Sequence, residues 1–175
     1  MPKTDKTGKN PGKAARKTVT ARIKIEAAGS SLGAIRKFIN SRMKRAGFSL
    51  KKISALKVAV TEHCENLIRH AYAGKGGKAE LKLEIKYPRA KITVLDRGPK
   101  FDMRKKRIPD ISRRLKNGQG GKMGIKTILA LCDRVEYKRT GGCNENVFTV
   151  REKTDSGGFK QGFLKTRRHM PERKK

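Results

Sequence analysis

Several features that mark other classes of protein are scarce or absent in this sequence of 175 residues. Tryptophan is absent, and only 35% of the residues are hydrophobic. No apolar run approaches the roughly 18 residues that a membrane span requires, and no hydrophobic signal-peptide segment follows the lysine-rich start. We therefore predict a cytoplasmic protein without a membrane segment, of the size of one domain with tails.

Cysteine and histidine are also rare, which argues against a disulfide framework and a histidine metal site. The three cysteines, Cys64, Cys132 and Cys143, form no C-x-x-C pair, and Cys64 and Cys132 fall in apolar helical patterns. We interpret these two as reduced core thiols. The three histidines are scattered and lack the spacing of metal ligands.

Acidic residues are few, with 15 against 46 lysines and arginines, so the formal charge is +31. Residues 1–17 hold six bases against one acid and are predicted to be a disordered basic arm, and residues 159–175 hold seven bases against one acid and read as a basic tail. The remaining +20 lies on residues 18–158, which we take as the folded domain. Such charge indicates an acidic partner, nucleic acid or non-specific adhesion, unless it only solubilises the surface.

Two hydrophobic periodicities divide the domain into elements. Alternation of period two predicts strands at 18–25, with Val19 pointing inward, and at 79–86, 91–95, 134–139 and 146–151. Helical spacing predicts a helix that starts at a serine cap in 29–31 and ends at Gly47, a second from Ser49 or Leu50 to about Tyr72, and a short third at 124–133.

The resulting order, β-α-α-β-β-α-β-β, predicts an α+β fold. Polar outer positions on the strands favour a two-layer sandwich, with a mostly antiparallel sheet and helices on one face. Residues 97–120 follow neither period, and a connection of this length inside a domain is typical of a functional loop or lid.

The long helix carries an unusual polar stripe. Glu62 and Asn66 lie four residues apart and project from the same face, and Arg69 and His70 continue the stripe one turn later. A solvated polar face is one interpretation. The other is a base, a metal-coordinating oxygen and a phosphate contact along one helix.

Two glycine-containing segments are the remaining candidates for a site. Asp96 ends an apolar strand and precedes Gly98, so its carboxylate can accept a hydrogen bond where the backbone approaches a ligand closely, although the same pattern occurs in ordinary turns. Residues 118–124 run into a helix, and their free N–H groups suit a phosphate cradle or a flexible loop. The segment is not a P-loop, because Lys122 is followed by methionine.

In this order the three features resemble the GHKL ATPase superfamily, and within it the anti-sigma-factor serine/threonine kinases. The matching segments are LKVAVTEHCENLIRHAY at 56–72, VLDRGPKFD at 94–102, GGKMGI at 120–125 and LCDRVEY at 131–137. The resemblance covers residues 18–152 and agrees with the two-layer ATP-binding fold of that family. Each motif is degenerate, but the ordered set is specific.

The resemblance implies ATP and Mg²⁺ as cofactors and assigns roles to individual residues. Glu62 would be the general base, and Asn66 would bind Mg²⁺ through its side-chain oxygen. Arg69 or His70 would face the phosphates or the nucleotide, Asp96 would accept from the adenine amino group, and Gly98 would let the backbone close on the base. The lid hinge and the phosphate-facing turn would be formed by Gly118, Gly120, Gly121, Lys122 and Gly124.

Two lysines depart from the family pattern. Lys100 stands where relatives often have a glycine, and Lys122 interrupts the second glycine segment. Either side chain crowds the nucleotide or reaches its phosphates, so the sequence supports nucleotide binding more directly than turnover.

The resemblance implies an anti-sigma factor that binds Mg-ATP, sequesters a sigma factor and phosphorylates an anti-anti-sigma antagonist of the STAS type, with a homodimer possible. One alternative is a regulatory clamp that binds ATP without turnover. The other is a basic nucleic-acid-binding protein, which only the charge suggests, because no zinc-finger, KH or RRM signature is present.

Overall fold

A single five-stranded sheet organises the computed structural model, which describes residues 18–73, 76–106 and 123–153. The strands are β1 (Val19–Glu26), β2 (Lys78–Lys86), β3 (Arg89–Asp96), β4 (Arg134–Thr140) and β5 (Cys143–Arg151). Their spatial order is β1-β2-β3-β5-β4, and every neighbouring pair is antiparallel. The helices within the described ranges are α1 (Ser31–Arg45), α2 (Leu50–Asn66) and α3 (Gly124–Leu131). The predicted α+β fold and element order are confirmed.

The alternation of side chains along the strands separates a buried face from a polar face. On the buried face Leu83, Ile92 and Phe148 stand side by side on neighbouring strands and are almost fully buried. They join one hydrophobic core with the inward residues of the helices, including Ile35, Ile39, Leu56, Val60 and Ile128. The other face alternates lysine and glutamate along β2, so water can cover it.

Serine caps were predicted at the starts of α1 and α2, and the structure has the predicted cap only at α2. Ser49 caps α2 as expected, because its Oγ accepts from the backbone N–H of Lys52 at 3.3 Å. The serine cap predicted for α1 is wrong. Ser30 makes no side-chain cap, and instead the N–H groups of Ser31 and Leu32 donate to the carbonyls of Ala28 and Gly29. A preceding turn therefore supplies the partners that a serine side chain usually provides.

Two other expectations differ from the structure. The second helix does not run regularly to Tyr72, because α2 ends at Asn66 and a wider π-helical turn, Leu67–Ala71, follows. The N–H of Tyr72 donates to the carbonyl of Leu67, five residues back. Val19, expected to point inward, is 53% exposed because it is the first residue of an edge strand.

Part of the predicted organisation lies outside the described residues. This holds for the arm at 1–17, the tail at 159–175, the last residues of the domain predicted at 18–158, and the loop positions Gly118, Gly120, Gly121 and Lys122. Of the irregular region 97–120, residues 97–106 are described, and they include a short 3₁₀ turn at Met103–Lys105 that buries Met103.

Candidate functional site

The helix-facing side of the sheet is polar at one corner. There Asp96 of β3 stands opposite Asn144 of β5, which is paired in turn with Arg139 of β4. In the next row Asn146 is paired with Tyr137. Asp96, Asn144 and Asn146 are each only 2% exposed. Buried polar side chains at inward strand positions need partners, so this corner is built for hydrogen bonding.

The two oxygens of the Asp96 carboxylate have different surroundings. Oδ1 accepts from the backbone N–H of Gly98 at 2.9 Å and from Nδ2 of Asn144 at 2.8 Å. Oδ2 is buried and has no partner among the described residues. An unpaired buried carboxylate oxygen is costly, and a ligand N–H would satisfy it. The exocyclic amino group of adenine is a donor of this kind.

Asn144 holds this arrangement in place. Its Nδ2 also lies 3.1 Å from the carbonyl oxygens of Gly98 and Pro99, while its Oδ1 accepts from the Tyr137 hydroxyl at 2.8 Å and from Arg139 Nη1 at 2.6 Å. Arg139 donates to the Gly98 carbonyl as well, at 3.1 Å. Four of these residues are not among the site residues predicted from the sequence, namely Asn144, Asn146, Tyr137 and Arg139. The sequence feature that could have identified them is the occurrence of polar residues at inward positions of the last hairpin.

Gly98 lies where the end of β3 meets the π-helical turn. A Cβ at this position would lie 3.0 Å from Ala71 Cβ and 3.0 Å from Asp96 Oδ1, so a side chain would crowd both. The Tyr72 ring lies beside it and against Gly77, and its hydroxyl donates to the Lys78 carbonyl at 3.2 Å. The glycine thus permits a close approach between the end of β3 and the π-helical turn, while its predicted approach to a nucleotide base stays a prediction.

Glu62 and Asn66 meet the start of α3. A Cβ on Gly124 would lie 2.5 Å from Glu62 Oε2 and 3.7 Å from Asn66 Nδ2, so both side chains lie close to the backbone of this helix start. Neither side chain takes part in a hydrogen bond or an ion pair with another described residue. The fold therefore brings together three of the predicted site residues and leaves the carboxylate and the carboxamide available to a ligand.

The side chains of Arg69 and His70 form no hydrogen bond or ion pair with another predicted site residue that the structure describes. The π-helical turn begins between them and Asn66, which changes the angle at which they leave the helix. Both are exposed, and Arg69 Nη2 lies 3.4 Å from Glu65 Oε2. Lys100 is exposed as well. No described contact joins these three residues to Glu62 or Asp96.

Two ionisable groups of α2 are buried next to the site in uncharged form. Burial lowers the pKa of His63 to about 4, and its ring packs 5.2 Å from that of Phe148. Burial, with a smaller effect from Asp96, raises the pKa of Cys64 to about 12. At neutral pH the thiol is protonated and the imidazole neutral, so neither supplies a charged nucleophile. All three cysteines are free, which fits the predicted reduced thiols.

The described residues contain no group of three or more His, Cys, Asp or Glu side chains that could hold a metal ion. Among the described helices, none has the length and apolar character needed to cross a membrane.

Comparisons with known proteins show the family to which this fold belongs. Residues 25–150 match the histidine kinase-like ATPase domain family. Serine-protein kinase RsbW of Halalkalibacterium halodurans is 32% identical over 127 residues, which cover 70% of this chain and 78% of that protein. RsbW of Bacillus subtilis is 28% identical over 126 residues, which cover 69% of this chain and 78% of that protein.

A solved structure supports the fold. The structure of the RsbU and RsbW domains of Rv1364c from Mycobacterium tuberculosis aligns with 76% of this chain and 32% of that longer chain, at 18% identity and a TM-score of 0.54. Since residues 25–150 also match the family along most of the chain, the protein belongs to the histidine kinase-like ATPase family and is a homologue of the serine-protein kinases RsbW.

Proposed function

We propose that the protein is an ATP-dependent protein serine/threonine kinase that acts as an anti-sigma factor. The observation that carries this proposal is that two groups of predicted site residues lie along α2 and the π-helical turn that follows it. Glu62 and Asn66 lie close to the start of α3 at Gly124, and one turn further along the chain Ala71 lies close to Gly98, beside the Asp96 carboxylate with its one unpaired oxygen. We propose that these residues line one nucleotide site, in which Asp96 contacts the adenine base, Asn66 serves the phosphates through Mg²⁺, and Glu62 is the catalytic carboxylate.

Asp96 is the proposed adenine contact. Its Oδ2 is a buried acceptor without a protein partner, so it fits the amino group of adenine and not the carbonyl that guanine has in that place. Gly98 lets the end of the strand approach the base. Asn144 donates to Oδ1 of Asp96 and so keeps Oδ2 directed toward the base.

Glu62 is the proposed general base. A serine or threonine hydroxyl of the substrate would give its proton to the Glu62 carboxylate while its oxygen forms a bond to the γ-phosphorus and the bond to the ADP oxygen breaks. A positioned carboxylate of this kind contributes about 10²–10⁴-fold to the rate. The Glu62 carboxylate suits this role because no described side chain competes for it.

Asn66 would hold Mg²⁺ through its side-chain oxygen, together with the phosphates and water, and Mg²⁺ would neutralise charge on the phosphates. The carboxamide lies against Gly124, beside the glycine segment proposed to cradle the phosphates. Gly118, Gly120, Gly121 and Lys122 are proposed to complete that cradle, with Arg69, His70 or Lys100 as further phosphate contacts.

The proposed protein partners are inferred from the similarity to the RsbW kinases. The protein is proposed to sequester a sigma factor in the cytoplasm and to phosphorylate an anti-anti-sigma protein of the STAS type, and a homodimer is compatible with this role. The positive charge of +31 would speed encounter with an acidic partner.

Transfer of ³²P from γ-labelled ATP to candidate antagonists encoded beside this gene tests the proposal. Glu62→Gln should lower transfer by at least about a hundredfold while ATP affinity stays near normal, because the amide keeps the shape and loses the base. Asn66→Ala should weaken Mg-dependent nucleotide binding as well. Glu80→Gln, which removes a carboxylate from the opposite face of the sheet, serves as the control and should leave transfer unchanged.

Wild-type transfer by Glu62→Gln would show that Glu62 is not the base. Binding of Mg-ATP without phosphate transfer to any antagonist would contradict the kinase proposal and support the alternative, a regulatory clamp that binds ATP without turnover.

A further inference from the structure

The basic residues of the described domain are distributed unequally between its two faces. On the outer face of the sheet, bases alternate with acids and several of them are paired, as in Arg22–Glu80 at 3.0 Å, Lys91–Glu84 at 2.8 Å and Arg134–Glu136 at 2.8 Å. The helical side is different. Between Glu26 and Glu62 the sequence contains no acidic residue, and eight lysines and arginines lie in that interval.

Helix α1 concentrates this charge in one exposed stripe. Its buried face consists of Ile35, Phe38, Ile39 and Met43, which leaves the other face to solvent. That exposed face carries Gly33, Ala34, Arg36, Lys37, Asn40, Ser41, Lys44 and Arg45, and we call its four bases the α1 basic stripe. None of the four forms an ion pair with another described residue.

Structural roles do not explain the whole stripe. Lys44 and Arg45 lie in the last turn, where positive charge favours the helix dipole. Arg36 and Lys37 lie in the middle of the helix, where the dipole gives no such benefit. On α2 the neighbouring Lys52 is paired with Asp133 at 2.9 Å, whereas Lys51 and Lys57 form no ion pair with a described residue. The four bases on α1 are therefore the larger group of unpaired charges on this side.

The small side chains between the bases indicate the kind of partner. Protein interfaces draw most of their binding energy from a few buried anchors, among which tryptophan, tyrosine and arginine are enriched, and the exposed face of α1 has no aromatic or large aliphatic residue. Contacts with a nucleic-acid backbone need only lysine, arginine and small polar groups that allow close approach. Arg36 and Arg45 are nine residues apart, about 13 Å along the helix, and a duplex presents about eight phosphate charges over that length.

The stripe is separate from the proposed nucleotide site. α1 packs on β1, at one edge of the sheet, and on α2. Asp96 and Asn144 lie on the third and fourth strands, and Gly124 begins the helix that packs on α2 near Glu62. A long polyanion on α1 therefore leaves that corner open.

We propose that the α1 basic stripe binds the phosphate backbone of duplex nucleic acid without reading its sequence. The inference does not depend on kinase activity, because it uses none of the residues assigned to the nucleotide site. It adds a second binding function to the domain, with Arg36, Lys37, Lys44 and Arg45 as phosphate contacts.

Fluorescence anisotropy with a labelled 24-base-pair DNA duplex and the full chain tests this proposal. The variant R36Q/K37Q/K44Q/R45Q should bind at least about tenfold more weakly at 0.1 M salt, and its slope of log affinity against log salt should be smaller by about three to four. The matched control R22Q/K82Q/K91Q/R134Q removes the same charge from the outer sheet face and should change affinity by less than about threefold. Glutamine is a good helix former, and circular dichroism confirms folding.

Three results would overturn the proposal. Equal losses in both variants would mean that total charge alone governs binding, and no loss in the α1 variant would place binding elsewhere. Tighter binding of polyglutamate than of the duplex at 0.15 M salt, lost in the α1 variant, would assign the stripe to an acidic protein. If the quadruple variant fails to fold, K44Q/R45Q should give about half the effect on the logarithm of affinity.

Discussion

At the scale of single residues, the clearest functional signal is the Asp96 carboxylate, in which one oxygen accepts two hydrogen bonds and the other has no described partner. Asp96 could be singled out from the sequence because it ends an apolar strand before Gly98. The orientation of its carboxylate could not, because Asn144 lies 48 residues away and its inward position depends on the register of β3 with β5. Long-range pairing of this kind leaves no periodic signal within either segment.

Asn144 is a positioning residue, and its role can be separated from a purely structural one. Asn144→Ala removes the donor to Asp96 Oδ1 and the acceptor for Tyr137 and Arg139. We expect ADP affinity to fall by about tenfold, the effect of losing one hydrogen bond to a charged group, and the preference for ADP over GDP to shrink. Calorimetry with both nucleotides measures this. A loss of thermal stability with the preference unchanged would limit Asn144 to a structural role.

His63 should make stability depend on pH. Its pKa is about 4 when folded and near 6.5 when unfolded, so between these values the unfolded chain binds a proton that the folded chain does not. The free energy of unfolding should therefore fall as the pH is lowered below about 6.5, by about 2 kcal/mol between pH 7 and pH 5. Below pH 4 the stabilisation that the neutral His63 provides is lost completely, because the imidazole is then protonated in the folded chain as well.

Urea unfolding at pH 7 and pH 5 measures this dependence. The variant His63→Leu should reduce the difference between the two pH values by most of that amount, whatever its absolute stability. An unchanged difference in the variant would assign the pH dependence to other groups.

At the scale of elements, the sequence predicted each strand and helix of the described ranges but not the end of the long helix. Apolar periodicity continues through Leu67 and Ala71, and it does not distinguish an α-helical turn from a π-helical one. The wider turn arises where Ala71 and Tyr72 pack against Gly98 and Gly77, a contact between distant segments. Arg69 and His70, which would share a stripe with Glu62 in a regular helix, lie in this turn and are exposed.

The start of α3 should control the position of Glu62. Gly124→Ala would place a Cβ 2.5 Å from Glu62 Oε2, and the flexible side chain can move aside at little cost to folding. We expect stability to stay unchanged or rise by up to about 1 kcal/mol, because alanine favours the helix. Phosphotransfer should fall about tenfold to a hundredfold, because a displaced base is poorly aligned.

Gly33→Ala is the matched control for this substitution. A Cβ at Gly33 meets nothing within 4 Å on the exposed face of α1, so the same helix propensity is gained without a contact at the site. Phosphotransfer should be normal in this variant. Equal phosphotransfer in the two variants would show that Gly124 does not constrain Glu62.

At the scale of the whole molecule, the fold separates three chemical surfaces. Alternating bases and acids, several of them paired, cover the outer face of the sheet, unpaired bases line α1, and buried acceptors collect at the corner between β3 and β5. The net charge of +31 is visible in the composition, but its distribution is not. Which bases are neutralised depends on strand register, as for Arg22 opposite Lys82 and diagonal to Glu80.

The central claim is that the corner at Asp96 binds an adenine nucleotide, and calorimetric titration of the full chain with Mg-ADP and Mg-GDP tests it most directly. We expect ADP to bind with a sub-millimolar Kd and at least about tenfold more tightly than GDP, because a free carboxylate oxygen attracts an amino group and repels a carbonyl. Asp96→Asn should weaken ADP binding about tenfold to a hundredfold. No heat with ADP at sub-millimolar concentration, or equal affinity for the two nucleotides, would contradict the claim.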